Sequence, residues 1–470
     1  MGFGVLTQAQ REAIHRTSVR LLGRVGVRAD SSEVLERLRV HGAEVDPAGR
    51  RVRLSEDLIW RLVRQCPSGV FLGDRDGGGA RAGGEDGVCF WPGNALCLVE
   101  GGARRPIGVE DFARLTRLVD RLEHVDAMVG VAVAAFDPPI RDFCTLRLMA
   151  RHTRKHLRPV ITSAGGIEAV LAMADVIEQG RPEGAGHRLS FGYSVVSPLH
   201  WTETALALIQ KTSGRGFPLM LNAEPMAGGT SPVTLAGSVA QANAETLAGV
   251  AIAQALEPGR PCFYNGGFAH VLDMRTTVAL CGSPEVFLMG AASAEMARFY
   301  GLPCASWVST EAMSEDAQAA AEKAMGLTLH VERGVNLIWG MGQLESQMSI
   351  SGAQLVIDDE IAGQVGRLRR GIEVDPERLA CEVMEEVGTQ GDFLSHPHTL
   401  RWFREELRET RLGNRDRRDK WAARGGLDLR GQAQRRAEEI LDREWEPILD
   451  EEQGRELERI ETWWRKRIGR

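Results

Sequence analysis

A basic surplus, paired cysteines, phosphate-binding loops and long apolar runs are all missing from this chain, and each absence removes a class of function. Lys and Arg number 57 against 64 Asp and Glu, a net charge of −7 over 470 residues. That balance sets up no field to gather nucleic acid or an anionic membrane, so a small molecule or a protein partner is expected instead. The eight cysteines, among them Cys262 and Cys304 at the starts of predicted strands, include no C-x-x-C pair. Zinc and redox motifs are thereby excluded, and the thiols are read as reduced, buried small hydrophobes. No metal site is expected: the pair His396 and His398 flanks a proline with no third ligand near, and is read as a structured turn before a helix from Thr399. No stretch reaches the roughly 18 apolar residues of a membrane span, and the amino terminus carries no signal-peptide pattern, so a cytoplasmic protein is expected. Neither a Gly-Lys-Ser/Thr loop nor a G-x-G-x-x-G turn after the first strand is present, which argues against nucleotide binding.

Hydrophobic residues make up 43% of the chain, enough for a large folded core. The texture divides it in three. Residues 1–108 read as an N-terminal α+β extension, with helices over 6–26 and 55–65, the second capped by Ser55, and a glycine-rich turn at 77–84. Residues 109–352 repeat strand, turn and helix, with apolar strands at 127–134, 159–164, 189–196, 219–223, 262–266, 304–309 and 335–339. Strands apolar on both faces and spaced by such units predict a parallel sheet of the α/β class, a (β/α)8 TIM-like barrel whose eighth strand the pattern does not mark. Residues 353–470 read as a C-terminal helical extension, beginning with a helix over 354–370 and carrying Trp402, Trp421, Trp445, Trp463 and Trp464. Its charge alternation marks mostly solvated faces, and its tryptophans suggest packing on another subunit or partner.

In a barrel, chemistry sits at the carboxyl ends of strands. That rule selects Asn222, Glu224, Pro225 and the turn Gly228-Gly229-Thr230 after the fourth predicted strand. It also selects Tyr264, Asn265 and Gly266 after the fifth, Ser309, Thr310 and Glu311 after the sixth, with Tyr193 and Ser194 late in the third and Trp339 closing the seventh. Glu224 and Glu311 are the candidate catalytic carboxylates, able to balance an ammonium or to move a proton. Tyr and Phe are scarce, yet Tyr193, Phe263, Tyr264, Trp307 and Trp339 gather at these ends. With Asn222 and Asn265 they are the candidate substrate-binding set, and their π faces suit a quaternary ammonium at roughly 0.5–2 kcal/mol per ring. Gly228, Gly229 and Thr230 are the candidate cofactor-facing turn, because paired glycines admit close backbone approach. Glu245 is expected to pack or cap, and Asp273 to cap a helix or join the site. Within residues 221–249, therefore, 222–230 is the expected ligand loop and the rest is mainly the following helix, from Thr234.

Several long segments resemble the trimethylamine methyltransferase family. They are RLLGRVGVRADSSEVLERLRVHGAEVD, GGTSPVTLAGSVAQANAETLAGVAIAQ, LDMRTTVALCGSPE, EDAQAAAEKA, GVNLIWGMGQLESQMSISGAQLVIDDEIAGQVGRLRRGIEVD and EVGTQGDFLSHPHTL. The resemblance implies a (β/α) barrel that moves a methyl group from a methylated amine to Co(I) of a corrinoid carried by a separate small protein, with a homo-oligomeric assembly. Pyrrolysine, present in the trimethylamine-demethylating members, is absent here. Relatives without it resemble glycine betaine, proline betaine or carnitine demethylases, so a quaternary amine is the implied substrate. The alternatives are a trimethylamine-type tertiary-amine enzyme, a barrel that binds a betaine without turnover, and a lyase or hydrolase using Glu224 or Glu311 as base.

Overall fold

The structure is a computed structural model and describes residues 4–84 and 87–468. Its framework is eight parallel strands: β1 (Cys89–Pro92), β2 (Ala127–Val129), β3 (His156–Arg158), β4 (Phe191–Val195), β5 (Leu219–Ala223), β6 (Cys262–Gly267), β7 (Cys304–Trp307) and β8 (Leu337–Met341). Six of them form one parallel half-barrel sheet in the order β4-β5-β6-β7-β8-β1. The remaining two, β2 and β3, pair in parallel with each other. Hydrogen bonds tie this pair to both edges of the larger sheet: the Asp126 N–H donates to the Phe90 carbonyl at 2.8 Å, and Leu157 bridges in parallel to Leu189.

Three helices precede the strands, α1 (Gln8–Arg24), a shorter one at Ser32–Val40, and α2 (Glu56–Val63), the last capped by the Ser55 side chain. A helix then follows every strand: α3 (Val109–Arg121), α4 (Pro138–His152), α5 (Ile167–Ile177), α6 (Glu203–Lys211), α7 (Leu235–Leu256), α8 (Pro284–Tyr300), α9 (Ala317–Glu332) and α10 (Gly352–Arg370). Their starts are chemically marked. Asp316 accepts from the Gln318 and Ala319 amides at the head of α9, Ser351 from the Gln354 amide at the head of α10, and proline opens α4 and α8. Helix α7 is rich in alanine and apolar all round because α1 and α2 cover its outer side. Among its polar residues, Asn243 bonds Ser18, Tyr264 and Tyr300.

Alternation along the strands sorts the core into two clusters. The larger lies between strands and helices. The smaller, on the concave face, takes every second residue: Cys89 and Trp91, Ala127 and Val129, Met220, Phe263, Ala305 and Trp307, Leu337 and Trp339. Val70, Leu72 and Ala82 of a hairpin (Gly69–Gly73 with Gly79–Gly83) join this cluster, and Leu72 bridges to His187 just upstream of β4. The hairpin therefore closes the end from which the strands start. Part of the 77–84 segment expected to be a turn is thus strand, because the glycines let two backbones pass within a side chain's width.

All seven expected strands are present, with one displaced: strand β3 ends at Arg158, ahead of the expected 159–164, since Pro159 interrupts the ladder. The strand that local pattern did not mark is β1, upstream of residue 109, paired to β8. After α10, three short helices at Pro376–Leu379, Cys381–Val387 and Pro397–Glu406 bury no residue. Helix α11 (Leu429–Leu441) then packs on α10, and α12 (Glu451–Ile468) on α4 and α5. Among the described residues no helix is long and apolar enough to cross a membrane.

Candidate functional site

The carboxyl ends of the strands present an aromatic cage and a polar rim. Trp307 and Trp339 sit side by side in register on β7 and β8, their rings 5.6 Å apart at 22°. Phe268, just past β6, meets both edge-on, at 4.5 and 5.7 Å. The Trp307 indole N–H donates to Gln343 Oε1 at 2.6 Å, and Gln343 Nε2 donates to the Asn94 carbonyl at 2.5 Å. Gly93 is required here, because a Cβ would lie 2.0 Å from the Gln343 side chain. The cage is thus held by hydrogen bonds as well as by packing.

Register also builds the first part of the rim. Ser194, Asn222 and Asn265 are direct neighbours across β4, β5 and β6. Asn265 Nδ2 donates to Asn222 Oδ1 at 2.9 Å, Asn222 Nδ2 to Ser194 Oγ at 3.4 Å, and the Ser194 hydroxyl to Glu224. Burial pushes the Glu224 carboxyl above its ordinary range, and only the serine hydroxyl opposes it.

Around Glu311 the second part assembles from three loops. The Cys281 and Gly282 amides donate to its carboxylate, the latter at 2.9 Å. Burial raises its pKa, those amides pull it down, and Glu322, which binds the Thr310 hydroxyl and the Glu311 amide, pushes it up again. The Cys281 thiol lies 3.7 Å from His270 Nδ1 and receives Gln347 Nε2 at 3.2 Å. Burial keeps both groups neutral, raising the thiol far above its usual value and drawing His270 down to about 4. Gln347 reaches the thiol from a run of three non-glycine residues in the left-handed region, Glu345, Ser346 and Gln347, at φ 54°, 47° and 75°. That conformation costs of order 1–3 kcal/mol per residue unless its surroundings enforce it. Beneath lies a buried ion pair. Lys323 of α9 and Asp358 of α10 stand 3.2 Å apart, with Lys323 donating to the Val308 and Gly340 carbonyls and the Gly342 amide donating to Asp358 at 2.7 Å.

Glu224, Asn222 and Asn265 thus form one connected chain, and Trp307 and Trp339 one cage, while Glu311 stands in its own nest of amides. Phe263 is fully buried one layer deeper, in the concave-face cluster with Met220. Tyr193 and Tyr264 point the other way, a correction to their expected place at the ligand. Tyr264 donates to Asn243 of α7 and stacks near Tyr300, and Tyr193 packs into the helix layer beside Thr204 and Asp142. Each is one residue from an inward-facing neighbour, and alternation sends it outward. Gly228, Gly229 and Thr230 form a tight turn on the rim, with Gly228 at φ 87° and the Thr230 hydroxyl accepting from the Met226 amide at 2.8 Å. Asp273 organises a surface turn through Arg275 and Thr276 rather than a helix. Glu245 ties α7 to the Ser197–Leu199 loop. His396 caps the helix that starts at Pro397, two residues ahead of the expected Thr399. Among the described residues no group of three or more potential ligands gathers for a metal. Phe268, His270, Cys281 and Gln347 escaped sequence reasoning, because they lie in the connections after β6 and β8, where even the strand that holds His270 is only three residues long and shows no period.

A family model described as trimethylamine methyltransferase (MTTB) matches residues 2–467. The chain is 30% identical over 455 residues to trimethylamine methyltransferase MttB of Desulfitobacterium hafniense, covering 94% of this chain and 90% of that one. It is 28% identical over 474 residues to the glycine betaine methyltransferase of a second strain of that species, covering 99% and 98%. The crystal structure of the Methanosarcina barkeri monomethylamine methyltransferase superposes with a TM-score of 0.57 at 12% identity, over 93% of this chain and 88% of that one, and so shares its fold. With a match spanning almost every residue that builds the cage and rim, this chain belongs to the trimethylamine methyltransferase family.

Proposed function

We propose that the chain is a (β/α)8 barrel that removes a methyl group from a small quaternary amine, of glycine betaine, proline betaine or carnitine type, for a corrinoid held by a separate small protein. Closure of the barrel is supported by the links from β2 and β3 to both edges of the six-stranded sheet. On this reading the core begins at β1 rather than at residue 109. The reaction belongs in the cytoplasm, where a corrinoid can be kept reduced.

The observation that carries the reading is the cage of Trp307, Trp339 and Phe268 at the strand end that also bears the partly buried carboxylate Glu224. Aromatic faces hold a permanent cation without supplying a proton, and a desolvated carboxylate balances its charge. Losing a methyl group turns a quaternary ammonium into a neutral tertiary amine, so the leaving group needs no acid, and none of the neutral His270 and Cys281 need act as one. The chain's residues orient the amine and exclude water, which favours a step that cancels charge. Pyrrolysine, absent here, is what the tertiary-amine members have in addition, which favours a substrate already cationic.

The corrinoid on its carrier supplies the nucleophilic cobalt that accepts the methyl group. The rim fits such a visitor. Leu96, Val196, Val233, Met274, Met313 and Met348, one from each of six strand-to-helix loops, are 41% to 71% exposed around the mouth. An apolar collar rich in methionine suits a partner that docks and leaves. The test is methylcobalamin formation, followed spectroscopically, with reduced corrinoid protein and a panel of amines. Turnover of betaines is expected, and turnover of tertiary amines alone overturns the proposal.

A further inference from the structure

Arg158 ends β3 with its side chain on the concave face and is only 4% exposed. Its guanidinium stands 5.5 Å from the Trp339 ring, and its Nη groups donate to the Pro159 and Gly192 carbonyls, the latter at 2.8 Å. Its Nε has no partner, and no carboxylate acts on it among the described residues. A buried charge without a counter-charge costs several kcal/mol, and native proteins seldom leave one so. Burial draws its pKa to about 9, which leaves it charged at neutral pH.

Unanswered donors cluster with it. The indole N–H groups of Trp91 and Trp339 are also buried and unpartnered, and their rings lie 5.0 Å apart. The backbone makes room for this group: a Cβ on Gly192 would lie 3.0 Å from Arg158 Nη2 and 2.5 Å from the Met220 carbonyl. A guanidinium and two adjacent indoles with unpartnered N–H groups in an apolar interior describe the surroundings of an anion.

We propose that Arg158, Trp91 and Trp339 form a subsite for a carboxylate carried by the substrate itself. The inference rests on the quaternary-amine reading above and assigns a place to the carboxylate that its candidate substrates share. Trp339 then joins the two ends, its ring packed on Trp307 of the cage and its N–H available to the carboxylate. The guanidinium receives the counter-charge that the protein withholds.

Two ligands that share a cationic head separate the possibilities in titration calorimetry: glycine betaine, and tetramethylammonium, which has no carboxylate. The intact protein is expected to bind glycine betaine at least about 30-fold more tightly, the scale of one buried charged pair. Arg158→Met should erase that preference and leave tetramethylammonium binding unchanged, while Arg158→Lys keeps part of it. Trp91→Phe, which retains the ring, should weaken glycine betaine alone. Equal affinity for the two ligands in the intact protein, or equal loss of both in Arg158→Met and Trp91→Phe, overturns the subsite. Arg158-dependent betaine binding with no methyl transfer from any amine would sink the reading above and leave the subsite standing.

Discussion

Glu224 is the residue on which the electrostatics turn. Burial raises its pKa, so its folded-state value lies above the unfolded one. Its contribution to stability is therefore full below the unfolded pKa and is lost as pH rises through the folded one. Once ionised, the carboxylate is an internal cost that a bound cation offsets. Glu224→Gln should consequently leave the melting temperature unchanged or higher, while weakening quaternary-amine binding roughly 10- to 100-fold, about 1.4 to 2.7 kcal/mol. In the unsubstituted protein, amine affinity should fall as pH drops through the raised value, at higher pH than an ordinary glutamate would cause. Calorimetry across pH 4 to 7.5 checks both. At this scale the strand-end rule and the gathering of aromatics pointed to Asn222, Glu224, Asn265, Trp307 and Trp339, which the structure places at the ends of β5 to β8. It misdirected Tyr193 and Tyr264, because a shift of one residue flips the face, and only long-range pairing fixes the phase. Arg158 went unseen for the same reason, since the expected strand began one residue beyond it.

Strands β7 and β8 carry Trp307 and Trp339, and the Lys323–Asp358 pair pins their ends through the Val308 and Gly340 carbonyls and the Gly342 amide. Desolvation lowers the lysine's pKa and raises the aspartate's, and the attraction of each for the other opposes both shifts. Removing one partner strands the other. Lys323→Met should cost about 3–5 kcal/mol in denaturant unfolding, and a paired Lys323→Met, Asp358→Leu variant should recover much of it. Seven βα units were legible from apolar runs followed by helical periodicity. Strand β1 was not, because Cys89–Pro92 is short and flanked by glycine and proline, and its partner β8 lies some 250 residues away. Nothing local distinguishes such a strand from a loop.

Across the whole molecule, apolar exposure is concentrated in two places: the collar at the mouth and the segment 368–407. In the latter Leu368, Ile372, Val374, Leu394, Leu400 and Leu407 are 64% to 87% exposed, and the three short helices bury nothing. A groove bounded by Leu379, Val383, Pro397 and Trp402 lies in the same segment, so ridge and groove are carried together, as a two-fold interface requires. We propose that a second copy covers it. Leu394→Glu with Leu400→Glu should convert a dimer to a monomer in sedimentation equilibrium with the melting temperature nearly unchanged, whereas a monomeric parent protein would refute the proposal. The tryptophans expected to mediate association divide otherwise: Trp445 stacks on His152 at 4.4 Å within its own chain, while Trp463 stays half exposed.

The hairpin that closes the starting end of the strands has a consequence for traffic. With Val70, Leu72 and Ala82 filling that end, the strand-end mouth is the route in and out. On the proposed reading, the carrier protein would stand on that same opening. Entry is then compulsory in order, amine first and carrier second, and the demethylated amine waits until the carrier departs. A carrier in excess would seal empty enzyme, so the cell gains by keeping it scarce relative to the amine.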